Sequence, residues 1–162
     1  VAWQEAADLL EPGDMVQFWD KRIDMSGITR AAERGVEIIM SPASRAYLDM
    51  KYSEKSPLGQ TWMGVGDLRD SLEWSPDTLI DGVDDTTIAG VEACIWTELI
   101  STPHDLYEML LPRLAAVAEV AWAGSGEGQW DSFARRIAAQ SLLWQEAGLN
   151  WHHSEEVPWP ES

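Results

Sequence analysis

The stretch Gly90–Leu99, GVEACIWTEL, decides how the rest of the chain is read. It is apolar, follows a turn-rich segment, and ends in a tryptophan and a carboxylate. In an extended chain successive side chains point to opposite faces. That puts Glu92, Cys94, Trp96 and Glu98 on one face and Val91, Ala93 and Ile95 on the other. An aromatic and an acid on the same side suit a carbohydrate site. The flat ring stacks on a sugar's C–H face, and the carboxylate accepts its hydroxyl hydrogens. The same residues also fit a plain core strand, with Trp96 packed and Glu98 solvated at its end. The stretch alone leaves both readings open.

Working outward, the pattern repeats. Met15–Trp19 reads as a short strand with Met15, Gln17 and Trp19 on one face and Val16 and Phe18 on the other. Val1–Ala7 reads as the end of a strand entering a loop. Ile28–Arg34 is a short helix stopped by Gly35. Val36–Met40, VEIIM, is a continuous β-branched run, expected to be buried on both faces. Strand, helix, strand in this order predicts an α/β fold with a parallel sheet. After Pro42 comes a long excursion rich in Gly, Pro, Ser and aromatics, with helical turns expected near Ala43–Tyr47 and Pro76–Ile80. Structureless stretches of such length inside a domain are usually functional or disordered, and the Trp and Tyr content argues against disorder.

Beyond the central strand, Thr102-Pro103 offers an N-cap and a proline at the first helical position. Pro112 should break that helix. Leu114–Trp122 resumes it, with Leu114, Val117, Ala118 and Ala121 as the expected buried stripe. Trp130–Ala147 is the clearest amphipathic helix, capped by Gly148. Trp122, Trp130 and Trp144 are expected to pack, and Trp74 is a further candidate for the rim of a sugar site. Glu92 is read as a buried structural acid. Asn150–Ser162 reads as a polar tail in which His152 and His153 are solvated.

Composition narrows the function. The 162 residues amount to one ordinary domain or a piece of a larger one. The opening VAWQEA has no initiator Met and no leader, so a fragment is expected, and localisation stays open between cytoplasmic and secreted. The net charge of −17 disfavours nucleic acid and anionic membranes, which need cationic footprints. No run is long enough to span a bilayer. The single Cys94 excludes an internal disulfide and reads as a buried thiol. His104 stands alone and no metal-ligand spacing occurs, so neither metal nor cofactor is expected. Ten Trp against two Phe is the unusual figure, since cores ordinarily use Leu, Val and Phe; it suggests ring-stacking surfaces.

Aromatic–acid pairs recur at strand ends: Trp3-Gln4-Glu5, Trp19-Asp20 and Trp96-Thr97-Glu98. Tyr47-Leu48-Asp49 follows just after the strand ending at Met40. In a parallel β/α barrel all strand C-termini open on one face, so residues distant in sequence would meet there.

With these pairs in place, the chain resembles the C-terminal part of a glycoside hydrolase family 20 β-N-acetylhexosaminidase. The matching segments are VAWQE, MVQFWD, SPASRAYLDMKY, LGQTWMG, GVEACIWTEL and LLPRLAAVAEVAW, in order along nearly the whole chain. The resemblance implies about the last three or four β/α units of a TIM (β/α)8 barrel. It implies that residues 1–162 are the C-terminal portion of a catalytic barrel, with a short tail at about 150–162. Trp3, Trp19 and Trp96 would wall a pocket for the acetamido methyl, Tyr47 would orient the acetamido oxygen, and Asp49, Trp62 and Glu98 would bind outer hydroxyls. The implied substrates are terminal N-acetyl-hexosamine glycosides, cleaved by substrate assistance, an exception to the two-carboxylate scheme. The family's adjacent Asp-Glu pair does not occur in this sequence, nor does its hydroxyl-binding arginine. Both are expected upstream, so the missing N-terminal half of the barrel is an expected partner and this piece alone is expected to be inactive. A non-catalytic carbohydrate-binding protein on the same barrel is the alternative.

Overall fold

The computed structural model describes residues 1–161. Four strands form one sheet in the order β1 (Ala2–Trp3), β2 (Met15–Phe18), β3 (Glu37–Met40) and β4 (Ile88–Val91). Every pairing is parallel. Parallel neighbours need crossover connections, and helices supply them. Helix α1 (Ser26–Glu33) links β2 to β3. Its chain turns back at Gly35, whose φ of +85° suits glycine.

Register explains the core. Val16 pairs with Ile38 and Phe18 with Met40, and all four are fully buried. They pack with Ile28, Ala31 and Ala32 of α1 and with Ile80 and Val83. The other face of the sheet carries Gln17 and half-buried Ile39, and Glu37 is exposed. Within this chain, helices cover one face of Val36–Met40.

Strand β4 also differs from its expected span of Gly90–Trp96. It starts at Ile88 and its ladder with β3 ends at Val91. The chain nevertheless stays extended, because a new neighbour replaces β3. After the short helix α2 (Ala43–Ala46), the Leu48 N–H donates to the Cys94 carbonyl at 2.7 Å, and the Cys94 N–H donates to Ala46 at 2.9 Å. Period two survives the end of the ladder. Val91, Ala93 and Ile95 pack on Ala46, Leu48 and Val117, while Cys94 packs on Tyr47.

A second layer lies outside the sheet. Helices α3 (Leu68–Leu72), α5 (Arg113–Ala123) and α6 (Trp130–Glu146) share a core with Val157. Helix α4 (Pro103–Leu110) starts as expected, with the Thr102 hydroxyl accepting from the Asp105 N–H at 3.1 Å. Helix α3 was not expected from the sequence; a reciprocal capping box of Asp67 and Asp70 stabilises its short, polar LRDSL segment. On α5 the buried stripe is Arg113, Ala116, Val117 and Val120, with Leu114, Ala118 and Ala121 outward. The predicted stripe is thus rotated about one residue, because a buried arginine sits where an apolar residue was sought.

Three further expectations are corrected. Trp122 is 95% exposed among the described residues, although Trp130 and Trp144 are buried as expected. Trp74 is buried, its indole N–H donating to the Ser71 carbonyl at 3.0 Å, so it forms no rim. The tail is solvated only in part: His153 is exposed as expected, but its neighbours pack. His152 stacks on Tyr52 at 3.7 Å and contacts Glu108 at 3.3 Å, and Trp151 and Trp159 pack against the outer core. Its apolar residues find partners from distant segments, which local polarity does not reveal.

Candidate active-site cleft

The C-terminal ends of the strands open on one cleft of about 530 Å³. Trp3, Trp19, Tyr47, Asp49, Trp62, Trp96 and Glu98 all line it, together with Glu5 and Gln60. Parallel pairing makes this convergence unavoidable. Trp3 ends β1, Trp19 directly follows β2, Tyr47 follows the turn after β3, and Trp96 lies on the extended chain beyond β4.

Five rings form a connected wall. Trp3 lies 6.2 Å from Trp96, Trp96 6.1 Å from Tyr47, and Tyr47 6.3 Å from Trp19, with Tyr47 and Trp19 nearly parallel at 16°. Trp62 meets Trp19 and Tyr47 edge-on, at 6.0 Å from each. Stacked and edge-on arrangements are the favourable ones for aromatic quadrupoles. Trp3, Trp62 and Trp96 remain 40–42% exposed despite these contacts. Large apolar surface gathered in one open concavity marks a binding site more than a core.

Polar groups fix the walls. The buried Gln4 side chain accepts from the Trp19 and Asp20 N–H groups, both at 2.8 Å, and donates to the Asp20 carbonyl at 2.9 Å. It ties the end of β1 to the end of β2. The Trp19 indole N–H donates to Glu5 at 3.1 Å. Asp20, paired with Arg22 at 2.8 Å, does not line the cleft. Arg22 donates to the Trp62 carbonyl at 3.0 Å and covers its ring at 5.3 Å. The loop bearing Trp62 approaches so closely that a Cβ on Gly59 would meet the Asp49 carbonyl and Lys51 nitrogen at 2.9 Å. Gly59 also has φ +110°, so this approach requires glycine.

Beneath the rings sits a polar cluster. Gln17 donates to Ser41 at 2.9 Å and to Glu92 at 2.6 Å, crossing from β2 to the extension of β4. Within this chain Glu92 is exposed and held by Gln17. Burial, and then Glu92 beside it, pushes the Cys94 thiol up to about 12, so it stays a neutral packed group.

Tyr47 and Asp49 supply the deepest polar groups. Tyr47 is 5% exposed and Asp49 2%. Burial raises the Tyr47 phenol above its usual range, so it is a proton donor at any physiological pH. Burial also raises Asp49; the Asp49 and Trp96 backbone N–H groups oppose the rise most, Glu98 adds to it, and Arg113 opposes it least. Asp49 Oδ1 is buried and accepts no hydrogen bond from any described residue. Such an acceptor is costly unless a ligand donates to it. Glu5 and Gln60 were absent from the predicted site. Glu5 carried a signal in its Trp3-Gln4-Glu5 pair, while Gln60 reaches the cleft only through the Gly59 turn.

Aromatic walls, a deep hydroxyl donor and carboxylate acceptors thus meet at the open end of a parallel β/α sheet. Residues 1–125 match the family model "Glycosyl hydrolase family 20, catalytic domain". The chain is 48% identical over 161 residues to a β-N-acetylhexosaminidase of Cellulomonas fimi, covering 99% of this chain and 32% of that protein. A Streptomyces plicatus β-hexosaminidase variant in complex with the product GlcNAc superposes with a TM-score of 0.91 at 38% identity, covering 99% of this chain and 33% of that one. A Streptomyces coelicolor GH20 β-N-acetylhexosaminidase gives 0.89 at 36%, covering 99% and 34%. The chain belongs to glycoside hydrolase family 20, and its four parallel strands are an arc of that family's TIM barrel. It spans about a third of the length of these relatives.

Proposed function

We propose that this chain supplies the substrate-holding wall of an exo-acting β-N-acetylhexosaminidase, as the C-terminal portion of its catalytic barrel. The observation that carries the reading is the five-ring wall closed by Tyr47, beside the unsatisfied Asp49 oxygen. An acetamido group has an apolar methyl and a polar carbonyl. Trp3, Trp19 and Trp96 offer indole surface to the methyl, and the Tyr47 hydroxyl offers a donor to the carbonyl oxygen. Asp49 and Glu98 accept from the sugar's outer hydroxyls, where charge-assisted bonds exceed neutral ones in strength, and Trp62 stacks on the ring. The names of the relatives and the GlcNAc complex of one of them support this substrate class.

The reaction proposed is retaining hydrolysis by substrate assistance. The acetamido oxygen attacks the anomeric carbon as the glycosidic bond breaks, and water later opens the intermediate. Tyr47 holds that oxygen in line. The proton for the leaving oxygen comes from a general acid outside this chain, because the family's adjacent Asp-Glu pair does not occur in it.

Steady-state kinetics of Tyr47→Phe in the full-length protein, on an aryl β-N-acetylglucosaminide, test the reading. A hydrogen bond that strengthens as the oxygen attacks is worth about 2–4 kcal/mol, so kcat should fall roughly 30- to 1000-fold with a smaller change in KM. Wild-type kcat would reduce Tyr47 to a packed aromatic. Sugar binding without turnover in the parent protein would favour the non-catalytic alternative.

A further inference from the structure

Arg113 is the largest fully buried side chain of the protein, 1% exposed, and no described carboxylate lies within 4.0 Å of it. A buried unpaired guanidinium is expensive, and an apolar residue of similar volume would serve packing better. Its contacts explain its presence. Nη2 donates to the Leu48 carbonyl at 2.6 Å and to the Met109 carbonyl at 3.4 Å, and Nη1 donates to the Gly66 carbonyl at 3.1 Å. The guanidinium also lies 3.7 Å from the centre of the Tyr52 ring. Tyr52 is itself fixed, its hydroxyl donating to the Leu111 carbonyl at 3.0 Å and its other face stacked on His152.

The three carbonyls belong to three separate segments. Leu48 directly precedes Asp49. Gly66 closes the loop that carries Trp62, a loop whose Gln60 N–H donates to Asp49 at 2.7 Å and whose Gly66 N–H donates to Lys51 at 2.9 Å. Met109 anchors both to α4. We propose that Arg113 is a positioning residue for the sugar-hydroxyl edge of the cleft, one fork holding the Asp49 and Trp62 segments at a fixed separation. The inference rests on the reading of Asp49 and Trp62 as sugar contacts.

The fork acts in two ways. Its geometry sets where the Asp49 oxygens and Trp62 ring stand, and only a planar, bidentate donor reaches two segments at once. Its charge opposes the burial that raises Asp49. The groups acting on Asp49 are Tyr47, Cys94 and Glu98 from the sheet side, none of them cationic, the backbone N–H groups of Asp49 and Trp96, which lower it more than Arg113 does, and Arg113 from the helix side, the one cation among them. Removing the cation should raise the Asp49 carboxyl further, so activity should be lost at a higher pH as the medium is acidified.

The test is kinetics across pH in the full-length protein, on an aryl N-acetylglucosaminide, for Arg113→Gln, Arg113→Lys and Tyr52→Leu. Val120→Ala, on the same helix but away from both loops, serves as the packing control. A misplacement near 1 Å can cost roughly 100-fold, so Arg113→Gln should raise KM on the order of tenfold, more than it lowers kcat. It should also move the acidic limb of kcat/KM upward, and that movement should vanish in an Asp49→Asn background. Arg113→Lys keeps the charge without the fork, so the limb should return while KM stays raised. Val120→Ala should lower Tm and move neither. A folded Arg113→Gln with wild-type KM and limb overturns the inference. Should neither Arg113 variant fold, Tyr52→Leu decides, since it removes the ring beneath the guanidinium: raised KM supports the inference and wild-type KM overturns it. If Asp49→Asn alone leaves sugar binding intact, the underlying site reading fails. If it weakens binding while Arg113 and Tyr52 variants do not, only the positioning role fails.

Discussion

Nine of the ten tryptophans of this chain divide into two populations that use one side chain for opposite ends: Trp3, Trp19, Trp62 and Trp96 around the cleft, and five in the outer layer. Around the cleft, Trp3, Trp62 and Trp96 touch other rings yet keep 40–42% of their surface open. In the outer layer, Trp74, Trp130 and Trp144 are buried, and Trp151 and Trp159 fill the seams between α6 and the tail. Trp122 belongs to neither and stands in solvent. Burial of an indole stabilises the fold in proportion to the area removed from water. An indole left open at the mouth of a cleft contributes less to folding and keeps its face for a ligand. The two populations should therefore respond differently to truncation.

The largest stability effect is expected in the outer layer. Trp144 is 8% exposed and packs with Trp151 and the Phe133–Ile137 face of its own helix. Trp144→Ala should cost about 3–5 kcal/mol, the usual range for emptying a large aromatic site. Denaturant unfolding should show it, while the folded fraction keeps its KM. A drop in sugar affinity without loss of stability would break the division.

The cleft should show the reverse. Trp96→Ala removes ring contacts with Trp3 and Tyr47 but leaves little new cavity, since the ring is already open on one side. Stability should change by about 1 kcal/mol or less, and KM should rise on the order of tenfold, equivalent to about 1.4 kcal/mol of lost binding. Equal losses in both measurements would make Trp96 a core residue after all.

How far this division could be read in advance depended on which forces were local. Alternation in Gly90–Leu99 was legible because period two outlasts the ladder: Ile95 and Trp96 still face opposite ways after β4 has ended. Helix α6 was legible from its 3.6-residue spacing. The tail was not, because Val157 and Trp159 gain their partners from α3 and α6. Nor was Arg113, since a guanidinium enters a core only when carbonyls from distant segments converge on it. For the same reason Trp74 and Trp122 exchanged places relative to expectation: neighbouring sequence does not say whether a partner arrives.

The smallest effect concerns the one acid that crosses the division. Asp49 is buried like the outer tryptophans and faces the cleft like the inner ones. Burial holds its carboxyl above the usual range. In the window between the unfolded and folded values the folded chain binds more protons, so stability falls as pH rises through it. Above the window the cost is present in full; below the unfolded value of about 3.9 it disappears. Asp49→Asn removes the charge and keeps an oxygen acceptor. Near neutral pH the variant should therefore melt slightly above the parent, and the two curves should meet as pH falls below the ordinary carboxylate range. The same variant should bind the sugar less well, since a neutral amide accepts a hydroxyl more weakly than a carboxylate. Calorimetry at several pH values checks the first statement and KM the second. Equal melting temperatures at neutral pH would mean that the Asp49 and Trp96 backbone N–H groups, together with Arg113, fully offset the burial of Asp49. The charge would then be free of cost to the fold, and the trade between stability and binding at this position would not exist.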